Sequence, residues 1–136
     1  MTTNKPIMDS GYAPMMIRII LSLYFLVVGY VTLNNQHLFI QAVEQLQAYP
    51  YRFTTLYAAI LPYLELGAGI LLFIGLWTNI AAIIACVVIV SFILSIGFFP
   101  YEGLPELFNK DIIFLIAAFS LMASGPGKFS FDNQKE

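Results

Sequence analysis

The chain has 136 residues, of which 60% are hydrophobic and 10% charged, and its net charge is −2. A water-soluble domain carries about 25% charged residues, so this composition leaves too little polar surface for water and puts the chain in the membrane class. With no basic cluster there is no electrostatic footprint of a nucleic-acid partner. One cysteine and one histidine exclude an intrachain disulfide, a dithiol pair, bis-histidine haem ligation and a His-rich metal centre.

We expect an all-α, integral membrane four-helix bundle in one domain spanning residues 1–136, with a short amphipathic helix in its first loop. The first span is predicted at 14–33. Pro14 suits a first helical position, where no N–H is needed, and Asn34 and Asn35 end the run. This stretch is longer than the ~7–15 residues of a signal-peptide core, so it reads as a retained helix. The polar segment that follows places Phe39, Val43 and Leu46 at i, i+4 and i+7 among Gln and Glu. That is one apolar stripe, and it predicts an amphipathic helix over 37–48 that Pro50 stops. It is the candidate partner-docking surface.

The apolar run from Leu56 to Phe99 is too long for one crossing of ~20 residues and suits two. The break is expected at Gly75-Leu76-Trp77-Thr78-Asn79, giving helices over 56–76 and 80–98. The single tryptophan in that break suits interface depth. A turn-rich acidic loop with Glu102 and Glu106 follows, and Asn109 is placed to cap a short fourth helix over 110–125. Asp111 in its first turn complements the helix dipole. Gly125-Pro126-Gly127 stops it. Lys5, Lys128 and Lys135, with Arg18, fall on one side, which favours both termini in the cytoplasm.

Glu65 is the only ionisable side chain between Leu56 and Phe99, apart from Tyr57, Tyr63 and Cys86. A lone acid at bilayer depth is a functional-site candidate by default. Pro62, Glu65 and Gly69 share one face, and glycines admit close helix contact, so the acid is expected to point into the bundle. It reads equally well as a structural acid that fixes packing or as a protonatable group that meets a ligand. Arg18, Ser22, Phe25 and Gly29 share a face of the first helix. Arg18 either snorkels to headgroups or joins Glu65, Ser22 and Tyr63 in one polar pocket. No catalytic residue and no metal ligand is assigned.

Three stretches resemble the DoxX family of small four-helix membrane proteins. They are Arg18 to Leu33; Phe39 to Leu46 with Pro50 and then Tyr63-Leu64-Glu65-Leu66-Gly67-Ala68-Gly69 through Thr78; and Gly125-Pro126-Gly127-Lys128-Phe129-Ser130-Phe131-Asp132. The resemblance covers most of the chain. It implies a bacterial inner-membrane bundle whose named relatives are linked to membrane oxidoreductase assemblies, including thiosulfate-to-quinone electron transfer. By position, Arg18 and Glu65 match that family's intramembrane charged pair. Thr32 stands where the family often has a basic residue.

The first functional expectation is therefore a membrane subunit of an oxidoreductase assembly that contacts quinone, with electrons supplied by a partner. Quinone is the one cofactor this reading admits, and none is held covalently or by metal ligands. The alternatives are a non-catalytic membrane anchor or assembly factor, and a proton-coupled small-molecule transporter. The bilayer is the one certain partner, and the oligomeric state is not legible in the sequence.

Overall fold

A computed structural model of the chain describes residues 7–45, 51–96 and 110–132. The described residues form five helices: α1 (Tyr12–Asn34), α2 (Gln36–Gln45), α3 (Tyr51–Ile74), α4 (Thr78–Ile96) and α5 (Lys110–Ser124). The four apolar helices α1, α3, α4 and α5 form a ring in which α1 packs on α3, α3 on α4, α4 on α5 and α5 back on α1, while α2 lies against α3. Their order and approximate extents follow the expected spans. The expected break after the second span falls where α3 stops at Ile74 and α4 starts at Thr78. The stop is enforced by Gly75, whose φ of 75° is the left-handed conformation that ends helices at little cost for glycine. The acidic loop and its Asn109 cap lie outside the described residues.

α1 and α3 approach most closely. A methyl group added at Gly29 would come within 2.9 Å of Leu66 Cγ and 3.1 Å of both Glu65 Cβ and the Leu66 backbone nitrogen. At Gly69 it would meet Leu26 at 2.9 Å. The contact is sealed by Ser22 Oγ, which donates to the Gly69 carbonyl at 3.0 Å. Gly67 has open space beside it, so only Gly29 and Gly69 serve the close approach that small residues permit between helices. α4 turns Ala81, Ala82 and Ala85 into the core beside Leu21, Phe25, Leu61, Leu72 and Leu121, all buried.

Polarity is inverted relative to a soluble protein. Among the described residues the buried polar side chains are Arg18, Ser22, Thr32, Glu65, Thr78 and Ser130, while the outer surface carries Val27 (61% exposed), Val87 (63%), Leu94 (70%) and Ile116 (63%). Soluble monomers seldom expose contiguous apolar area on this scale, and charged residues are almost never fully buried unless paired. α1 and the Thr55–Ile74 part of α3 are each long and apolar enough to cross a membrane, and α4 and α5 supply shorter apolar segments.

Candidate functional site

The polar interior falls into two separate regions. The first is at the end of the bundle where α1 begins and the α3–α4 turn lies. Arg18 is 2% exposed there. Its Nη1 donates to the Pro126 carbonyl at 2.9 Å and its Nη2 to the Phe129 carbonyl at 3.0 Å, so the fork of the guanidinium is closed by the segment after α5. Nε has no partner. That segment is tied down along its length. Lys128 donates its backbone N–H to Gly11 at 3.0 Å, and Asp132 donates its own to Gly75 at 3.1 Å. Gly127 is pressed against the start of α1, where a methyl group would meet Met15 N at 2.6 Å. The carboxylate of Asp132 accepts the N–H groups of Trp77 and Thr78 at 2.9 and 2.8 Å, capping α4 from outside its own sequence neighbourhood. Lys128 pairs with Asp9, and its Nζ lies 4.5 Å from the centre of the Tyr12 ring.

The second region is around Glu65, which is 0% exposed and whose carboxyl group has the Thr32 hydroxyl as a nearby donor. Thr32 stands on α1, and the backbone of Gly29 closes over the Glu65 stem. Further along α1, Tyr24 stacks on Phe114 of α5 at 3.8 Å and donates its hydroxyl to Asp111 Oδ1 at 3.2 Å. The structure thus turns Glu65 inward, as its helical face implies.

Of the four residues expected in one pocket, Arg18, Ser22 and Glu65 are buried, and Tyr63 is 65% exposed on the outer face. Arg18 and Glu65 are not neighbours. Arg18 lies against Gly75, ten residues along α3 from Glu65, a rise of about 15 Å at 1.5 Å per residue. Ser22 is spent on the Gly69 carbonyl between them. Of the expected docking residues, Phe39 and Val43 lie on α2, but their side chains, and Leu46 entirely, are outside the described residues; His37 and Leu38 beside them are exposed. Among the described residues no group of three or more His, Cys, Asp or Glu gathers as a metal set would.

A third feature was not foreseen. Between the beginning of α3 and the end of α4 lies an apolar cleft of about 280 Å³. Tyr57, Leu61, Leu64, Val87 and Ser91 line it, and the Tyr57 hydroxyl and Ser91 Oγ meet at 2.6 Å. Two hydroxyls one helix apart leave no linear spacing to read, so only the fold brings them together.

No curated protein and no solved structure matches the chain. The family model that matches is not that of DoxX, which the motifs resemble, but one of a similar kind. It covers residues 10–105, which include Arg18, Glu65 and the cleft and stop short of α5. The chain therefore belongs to the family described as methylamine utilisation protein MauE, a family of small membrane proteins.

Proposed function

We propose that this protein is the membrane-embedded component of an oxidoreductase assembly in methylamine utilisation, and that it anchors or assembles the catalytic partner. The observation that carries this reading is the family match, whose description names methylamine utilisation. The geometry agrees with a scaffolding role, because Arg18 is buried and each of its terminal nitrogens donates to a carbonyl of its own chain. In this reading α1, α3, α4 and α5 all cross the bilayer, with the shorter α5 accommodated by local thinning. The start of α1 and the segment 125–132 then share the cytoplasmic side, where Arg18 and Lys128 satisfy the bias of basic residues toward that side. The opposite end, with α2, faces the partner.

The test is genetic and biochemical together. Deleting the chain from its host should abolish methylamine-dependent dye reduction, and the intact chain should restore it. A variant lacking residues 36–45 that still inserts should not. Full activity in the deletion strain would end the proposal.

A second reading, quinone contact, is favoured by the cleft between α3 and α4. Its apolar walls suit an isoprenoid body, and the Tyr57 hydroxyl, which here donates to Ser91 while Ser91 donates to the Val88 carbonyl, would turn to a carbonyl head. Glu65 does not line this cleft, so titration with a quinone analogue should weaken in Tyr57→Phe and stay unchanged in Glu65→Gln. Equal binding in wild type and Tyr57→Phe would remove the cleft from consideration.

A further inference from the structure

We propose that the segment after α5 is a membrane-interface anchor. Phe129 and Phe131, held against the α3–α4 turn that carries Trp77, form an aromatic patch that inserts at the headgroup level of the bilayer. The proposal is independent of any oxidoreductase partner and rests on the reading that the long helices cross the membrane.

Ser130 sets the direction of its two neighbours. It is 2% exposed and pressed against the turn, where a methyl group on Gly75 would meet its Cβ at 2.6 Å. Phe129 and Phe131, on either side of it, face outward at 78% and 54% exposure, and Trp77 in the turn is 59% exposed. The segment is fastened to that turn. Asp132 donates its N–H to the Gly75 carbonyl at 3.1 Å, Trp77 donates its own to the Asp132 carboxylate at 2.9 Å, and Arg18 holds the Phe129 carbonyl from inside at 3.0 Å. Trp77 and Phe129 also share a positive φ, 49° and 55°, which glycine adopts freely and bulky side chains rarely. Such strain persists only where the surroundings enforce it. Here the enforcing bonds keep both rings on the outside instead of packing them into the core.

Depth identifies what covers them. The Thr55–Ile74 part of α3 is 20 residues long, about 30 Å at 1.5 Å per residue, and the hydrocarbon core is about 30 Å thick. The turn at Gly75 therefore lies at the boundary of that core. Headgroups bring the bilayer to about 40–45 Å, so each headgroup layer is about 5–7 Å deep and holds a ring. Phe73 just before the turn and Ile80 just after it are also exposed, so the patch continues the lipid-facing flank of α3 and α4. Tryptophan favours this layer, and phenylalanine on an interfacial segment buries its ring there. Lys128 is paired with Asp9, so a neutral phosphatidylcholine surface is sufficient.

Trp77 is the only tryptophan, so fluorescence quenching of the full chain in phosphatidylcholine vesicles reads each ring in turn. The wild type reports Trp77. Phe129→Trp and Phe131→Trp, each combined with Trp77→Phe, report the other two, and Leu23→Trp with Trp77→Phe reports the middle of α1. All three patch positions should be quenched severalfold more by lipids brominated near the headgroup end of the acyl chain than by lipids brominated near its tip or by iodide in water. Leu23→Trp should respond most to bromine near the tip. Iodide quenching at positions 129 and 131 without quenching by either lipid, as a patch kept for a protein partner would give, would overturn the anchor. With Leu23→Trp still quenched by the deep bromine, that result would leave the membrane crossing standing. Iodide quenching at Leu23→Trp would overturn the crossing and the anchor together.

Discussion

Asp132 caps a helix that begins 54 residues before it, its two carboxylate oxygens receiving the backbone N–H groups of Trp77 and Thr78. The same residue returns its own N–H to the Gly75 carbonyl. The C-terminal segment is therefore a clasp across one end of the bundle, joining the start of α1 to the α3–α4 turn. Replacing Asp132 by Ala leaves those two donors without acceptors. Loss of a capping side chain costs about 0.5–2 kcal/mol, and thermal unfolding in detergent should register a destabilisation of that order. Asp132→Asn should recover most of it, because the amide oxygen still accepts one bond.

Arg18 holds the clasp from inside. Arg18→Leu frees the Pro126 and Phe129 carbonyls in a buried setting, and an unmet buried acceptor costs about 1–3 kcal/mol. Arg18→Lys keeps the charge but offers no fork to two separate carbonyls. Both variants should become more susceptible to trypsin at Lys128 than the wild type, with Arg18→Leu the more susceptible. A wild-type digestion rate in both would show that the guanidinium does not retain the segment.

The α1–α3 contact discriminates between a glycine of α1 and one of α3. Gly29→Ala places a methyl group against Leu66 Cγ at 2.9 Å and the Leu66 backbone nitrogen at 3.1 Å, so the helices must separate. Overpacking of this kind costs about 1–3 kcal/mol. Gly67→Ala meets nothing within 4 Å and gains helix propensity of about 1 kcal/mol. Denaturation in mixed micelles should therefore destabilise Gly29→Ala and leave Gly67→Ala as stable as the wild type or more so.

The Asp9–Lys128 pair gives the clasp a pH window. The hydrogen bond to Lys128 holds Asp9 below the usual carboxylate range, and the reciprocal bond from Asp9 raises Lys128. A lowered acid stabilises above its unfolded pKa and stops doing so as pH falls through its folded one. A raised base stabilises below its unfolded pKa and stops as pH rises through its folded one. Attachment of the segment should thus be flat through neutral pH and loosen at both extremes. The pair is solvent-exposed, so added salt should narrow the difference. Limited proteolysis across pH should show the acid limb in the wild type and lose it in Asp9→Asn.

Much of this was legible in the residues. Arg18, Ser22, Phe25 and Gly29 fall at i, i+4, i+7 and i+11, and all four are buried on one face of α1. Glu65 shares a face with Pro62 and Gly69, and all three are buried. The α3–α4 break was marked by a glycine, a tryptophan and an asparagine in sequence. Tyr63 could have been placed correctly from the same geometry, because residues two apart on a helix point to opposite sides, and an inward Glu65 sends Tyr63 outward. The partners of Arg18 were not legible. They are backbone carbonyls 108 and 111 residues away, and every residue type carries a carbonyl. The Tyr24–Asp111 bond was hidden for a related reason: Asp111 is fully explained as a helix-start acid, and only the packing of α5 on α1 brings a tyrosine to it.

The central claim is that this bundle turns its polar side chains inward and its apolar face to lipid along all four long helices. Spin labels at Val27, Leu94 and Ile116, all more than half exposed, test it most directly when collisions with oxygen and with a water-soluble nickel chelate are compared in reconstituted vesicles. The account predicts strong oxygen and weak nickel contact at all three positions. Strong nickel contact at Leu94 and Ile116 would contradict it, because α4 and α5 would then face water.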